Sequence, residues 1–123
     1  MKITIRFASY TVEAELYDTP TAKAIYDSLP LHENISHWGD EIYFEIPVEI
    51  RLEPDARPTV SAGDLAYWPN MPAFCIFFGP TPVSSGKTPV AASAVNVFGK
   101  LTSVEPDLLR KIPETSKVTV TKA

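Results

Sequence analysis

Residues 42–52 read IYFEIPVEIRL, and this stretch decides how the chain folds. Ile42, Phe44, Ile46, Val48, Ile50 and Leu52 alternate with Tyr43, Glu45, Pro47, Glu49 and Arg51. Successive strand side chains point to opposite faces, so a period of two marks a strand with one face inward and one outward. Pro47 has no amide hydrogen to give a ladder, which predicts a bulge or a sheet edge at that point.

The same period recurs on both sides. Ile3, Ile5 and Phe7 alternate with Lys2, Thr4 and Arg6, and Val12, Ala14 and Leu16 alternate with Thr11, Glu13 and Glu15. These read as two strands, the second returning beside the first. Further strands are expected at Leu65–Trp68, Phe74–Phe78, Val95–Leu101 and Lys117–Thr121. One helix lies between the second and third strands. Thr19 can cap it, Pro20 suits its first position, Ala22, Ile25 and Leu29 form its apolar stripe, and Pro30 stops it. A shorter helical turn is expected at Pro106–Lys111. Some seven short strands with one main helix predict a closed or nearly closed antiparallel barrel, with Lys2–Phe7 beside Lys117–Thr121.

Composition bounds the function. The 123 residues are 45% hydrophobic and 21% charged, the balance of one ordinary globular domain spanning 1–123. Twelve prolines against five glycines favour short elements with rigid connections. A net charge of -4 with eleven scattered Lys and Arg gives no basic patch for nucleic acid. The start, MKITIRFASYTVEAELY, has no continuous apolar h-region, so no signal peptide is expected. The longest apolar run, Ala73–Phe78, is too short to span a bilayer, and one cysteine cannot form an internal disulfide. The expectation is a cytoplasmic protein without a membrane segment.

Motifs that imitate known chemistry fail on spacing. Gly79–Thr88, GPTPVSSGKT, places six residues before its Gly-Lys-Thr where a phosphate loop has four, and Pro89 follows where a helix should start. His32 and His37, in HENISH, stand five apart, about 140° off alignment on a helix, and are expected in a surface loop with no metal. Cys75 has apolar neighbours on both strand faces and reads as a core thiol rather than a nucleophile paired with His32 or His37. Asp40, Glu41 and Asp64 could make an acid–base pair, but Asp40 and Asp64 both follow glycine and turn formation accounts for them. Arg51, among Glu45, Glu49 and Glu53, is expected to form salt bridges across the sheet.

The aromatics are less easily placed. Residues 67–82, YWPNMPAFCIFFGPTP, hold five aromatics, four prolines and the lone cysteine. Trp38, Tyr43, Tyr67 and Trp68 cluster at glycine and proline turns, and Tyr43 falls on the polar face of its strand. Tyr67 and Trp68 are consecutive, so one ring must point away from the other. Core packing and a shared aromatic groove both remain open for the set.

The stretches DTPTAKAIYDSLP (18–30), HWGDEIYFEIP (37–47), SAGDLAYWP (61–69), FFGPTP (77–82) and VNVFGKL (95–101) resemble the cyclophilin-like barrel. They are most similar to a small prokaryotic family of cyclophilin-like proteins of unestablished activity. The resemblance implies a closed barrel of about eight strands with helices capping its ends. It would imply peptidyl-prolyl isomerase activity if the family's arginine were present, since that group favours a twisted amide over a planar one. Trp38-Gly39-Asp40-Glu41-Ile42-Tyr43-Phe44 stands where true cyclophilins carry a Phe-His-Arg-like strand and a glycine-rich turn, and it holds no arginine.

The expectation is therefore a binding module taking a small molecule or an extended, proline-containing peptide. Trp38, Tyr43, Tyr67, Trp68 and Phe78 would form apolar walls, and Thr81 and Asn96 would supply hydrogen bonds. No cofactor or metal is expected. The alternatives are an active isomerase that recruits Arg51 or another cation into the groove and a structural protein whose exposed aromatics bury in a homodimer.

Overall fold

The computed structural model describes residues 1–123. Strands β1 (Lys2–Phe7) and β2 (Thr11–Leu16) pair antiparallel, with Ile5 opposite Val12 and Ile3 opposite Ala14. Helix α1 (Pro20–Ser28) follows, its first turn held by the Thr19 hydroxyl, which accepts from the Ala22 amide at 3.1 Å. Next come β3 (Leu31–Asn34), β4 (Ser36–His37), β5 (Glu41–Glu45), β6 (Arg57–Thr59), β7 (Asp64–Trp68), β8 (Ala73–Phe77) and β9 (Val90–Leu101). The short α2 (Pro106–Arg110) and β10 (Lys117–Lys122) complete the chain. The expected pairing of first and last strands is present, with Ile5 opposite Val120.

The sheet is one antiparallel surface in the order β3-β10-β1-β2-β9-β7-β8-β5-β4, with β6 attached to β9. Two expectations need correction. There are ten strands rather than seven or about eight, and the sheet is not closed into a barrel. Its hydrogen-bonded path ends at β3 and β4, which are successive pieces of one chain segment joined by Ile35. Residues 31–34 pair with β10, and residues 36–37 pair with β5. At Ile35 the chain changes partner, so no ladder joins the two edges side to side. The HENISH stretch is thus strand rather than loop; His37 is half-buried and its Nε2 donates to the Ile112 carbonyl at 2.6 Å.

The long strand expected at Ile42–Leu52 is also corrected. It ends at Glu45, before Pro47, and β5 lies between two neighbours rather than at an edge. Ile46 donates to the Pro72 carbonyl at 3.1 Å, after which proline removes the next donor. The backbone beyond is held by side chains instead. The Tyr67 hydroxyl donates to the Val48 carbonyl at 2.7 Å and accepts from the Ile50 amide at 3.1 Å. The Asn96 amide group accepts from the Glu53 amide at 2.8 Å and donates to the Arg51 carbonyl at 2.9 Å. The alternation survives partway: Ile46 and Val48 are buried, while Leu52 faces solvent. Arg51 joins none of the salt bridges, against expectation.

Every residue of β8 is buried because apolar groups cover both its faces. Phe74, Ile76 and Phe78 enter the main core inside the curved sheet, where Phe74 stacks on Phe44 with ring centres 4.8 Å apart and meets Phe98 edge-on at 5.1 Å. Ala73, Cys75 and Phe77 face the other way into a second cluster with Val60, Ala66, Ala91 and Val95. This outer cluster positions the site. No helix is long and apolar enough to cross a membrane.

Candidate functional site

The outer cluster is incompletely covered, and the uncovered part is a cleft of about 480 Å³. The strand register explains its floor. Glu41 and Tyr43 on β5 stand opposite Phe77 and Cys75 on β8, so all four side chains share the outer face. Trp68 on β7 stands opposite Ala73 and presents its ring to the same face. Ala91, Ala92 and Val95 of β9 form the facing wall, and Asn70 and Met71 close one end.

Local chemistry fixes the two indoles. The Trp68 Nε1 donates to the Ser93 hydroxyl at 2.7 Å, tying the ring to β9. Trp38 begins the tight turn from β4 to β5, its amide donating to the Glu41 carbonyl at 2.9 Å and its carbonyl accepting from the Glu41 amide at 3.2 Å. Gly39 at the first turn position has φ +60, a conformation that favours glycine. A side chain there would also strike the Thr81 backbone at 2.9 Å. Asp40 continues the packing: its amide donates to the Pro80 carbonyl at 3.0 Å and its carbonyl accepts from Phe78 at 2.9 Å. Arg110 of α2 grips its carboxylate with two nitrogens, each at 2.9 Å. The Trp-Gly-Asp and Gly-Pro-Thr-Pro motifs are therefore one contact.

Glu41 is the unusual member of the site. It is only 6% exposed, it joins none of the salt bridges, and it lines the cleft. Loss of water raises its carboxyl to about pKa 7, partly offset by a hydrogen bond from the Cys75 thiol. Burial first, and then the adjacent Glu41, push that thiol well above its ordinary value. A thiol so placed is a poor nucleophile, consistent with the core reading of Cys75. No cluster of three or more His, Cys, Asp or Glu side chains is placed to hold a metal.

Of the seven residues singled out in the sequence, the structure brings Trp38, Tyr43 and Trp68 together around the cleft. The other four lie elsewhere. Tyr67 points into the main core, as the alternation with Trp68 requires, and its hydroxyl borders a second, more polar depression with Arg51 and Glu49. Phe78 is core. Thr81 is buried and donates to the Val90 carbonyl. Asn96 is buried on the side of α1, where it also donates to Thr21 at 3.0 Å.

Sequence reasoning weighed Glu41 with Asp40 and Asp64 as an acid–base pair and set it aside because turn formation accounted for the group. The available signal was its place two residues before Tyr43, on the same strand face as an aromatic that the main core did not explain. Asp40 is a turn residue as expected, whereas Asp64 is the first residue of β7 and closes the turn before it, accepting from the Ser61 amide at 2.8 Å.

A family model described as cyclophilin-like matches residues 1–121. Among solved structures, the solution structure of a hypothetical protein from Archaeoglobus fulgidus is similar, at 41% identity and a TM-score of 0.84. The match covers 100% of this chain and 95% of that one. No curated protein matches the sequence.

Proposed function

The chain belongs to the cyclophilin-like family, and we propose that residues 1–123 act as one domain, a binding module for a small molecule held in the outer cleft between Trp38, Tyr43 and Trp68. The observation that carries this reading is the cleft itself: about 480 Å³, with nine of its eleven lining residues apolar. That volume suits a compact ligand, and a largely apolar wall with few polar groups is the usual character of such sites. The rings are anchored by turn and hydrogen-bond geometry, so little ordering opposes binding.

The isomerase alternative draws no support from this cleft, whose lining contains neither arginine nor lysine. Arg51 borders the separate depression beside Tyr67.

The test is protein-observed NMR with neutral aromatic fragments, indole and phenethyl alcohol. The indole N–H signals of Trp38 and Trp68 and the amides of Tyr43 and Met71 should shift together and saturate. Trp68→Ala should weaken binding by about tenfold or more, equivalent to ~1.4 kcal/mol. Shifts confined to Arg51 and Glu49, or no saturable shift with these fragments or with an ammonium of the same shape, would remove the proposal.

A further inference from the structure

Glu41 raises a question that an apolar cleft does not answer. A carboxylate out of water needs a partner, because an unpaired buried charge is far more costly than a paired one. Within the protein no cation pairs with it, and its polar neighbour is the Cys75 thiol, a weak neutral donor. The adjacent Asp40 is already held by Arg110, the cation of α2, which also binds Asp107, so that guanidinium is engaged away from Glu41. Glu45, farther along β5, is another acid and offers no counter-charge. The His37 ring donates to the Ile112 carbonyl. The remaining titratable group on the cleft wall is Tyr43, an aromatic whose face favours positive charge.

We infer that the cleft recognises an organic cation, a primary or substituted ammonium on an apolar body, with Glu41 as its counter-ion and Trp38, Tyr43 and Trp68 as its aromatic walls. This rests on the binding reading above and names the ligand class for the same site. Two independent features select the charge. The carboxyl is buried, lines the cleft and joins no protein salt bridge. The walls are the ring types whose negative faces attract cations. An anionic ligand would meet the carboxylate as a like charge, and a neutral one would leave it unpaired. At neutral pH the carboxyl titrates between its neutral and charged forms, so the preference for a cation should grow as pH rises.

The experiment compares phenethylammonium with phenethyl alcohol, which match in shape and differ in charge, by NMR titration of the native protein at about pH 6 and pH 8, where the amine stays protonated. The ammonium should bind at least about tenfold tighter at the higher pH, and its advantage should shrink at the lower. Glu41→Gln should abolish the advantage of the ammonium over the alcohol; the pH comparison on unaltered protein gives the same answer should that variant fold poorly. Tighter or equal binding of the alcohol at the higher pH would overturn the inference while leaving the binding module standing. Binding of neither would end both.

Discussion

Tyr67 on β7 and Asn96 on β9 stand directly opposite each other in the sheet, and both turn their polar ends to the irregular backbone of residues 48–53. Between them they satisfy two carbonyls and two amides that Pro47 prevents from joining a ladder. Removing one partner strands buried and part-buried groups, which costs ~1–3 kcal/mol for a fully buried one and less where water can reach. Tyr67→Phe should therefore destabilise by about 2 kcal/mol, and Asn96→Ala, which also releases Thr21, by about 3 kcal/mol. Because the two serve one segment, the double variant should lose less than the sum. Urea denaturation of the three variants measures this; simple additivity would show the segment is not held as a unit.

Gly39 sets the position of Trp38. An alanine there would be strained at φ +60 and would meet the Thr81 backbone at 2.9 Å. Gly39→Ala should lower stability by about 2 kcal/mol or more, since both strain and a clash with main chain are involved. It should also move the Trp38 indole signal and weaken fragment binding. A variant with unchanged stability and an unmoved Trp38 resonance would contradict the role given to this turn.

Cys75 should be inert in the native state. It is fully enclosed, and both burial and Glu41 hold its thiol well above the ordinary range. A thiol reagent such as 5,5′-dithiobis(2-nitrobenzoate) at about pH 8 should label it only at the rate of unfolding, and quickly in denaturant. Prompt labelling of folded protein would contradict the enclosure of this thiol.

Much of the fold is legible in the sequence because burial on one face writes an alternation that survives reading by eye. Strands β1, β2, β7, β8 and β10 follow from it, and the helix start follows from the Thr19 cap and Pro20. The pairing of β1 with β10 was expected only as the closure of a barrel, and it is present although the sheet does not close. The alternation over 42–52 is real in burial as far as Val48, yet it does not report which backbone groups have partners. That depended on Tyr67 and Asn96, distant in sequence. Strands β3 and β4 were hidden because each is only a few residues long and their shared segment changes partner at Ile35. The same limit applies to the site. Trp38, Tyr43 and Trp68 stood out by their turns and strand faces, whereas the polar tips of Tyr67, Thr81 and Asn96 serve buried backbone. Glu41 looked like a turn residue until the register placed it opposite Phe77, on the outer face that it shares with Cys75.

Glu41 also ties stability to pH. Its carboxyl sits at about 7 in the folded protein, above its ordinary value of 4.5. The folded state therefore binds this proton more tightly than the unfolded state does, and stability is fully present below about pH 4.5 and lost as pH rises through about 7. The loss is on the order of 3 kcal/mol. Glu41→Gln should flatten this slope between about pH 5 and pH 8 and be more stable than the unaltered protein at the upper end. Denaturation midpoints that fall equally with pH in both proteins would reject the assignment.

The most direct measurement is the titration of the Glu41 side-chain carboxyl carbon by NMR, in the free protein and with saturating phenethylammonium. The account predicts a midpoint near 7 in the free protein, moving down when the cation binds, because an opposite charge favours the carboxylate. A free-protein midpoint in the ordinary glutamate range, or one that the bound cation leaves where it was, would contradict it.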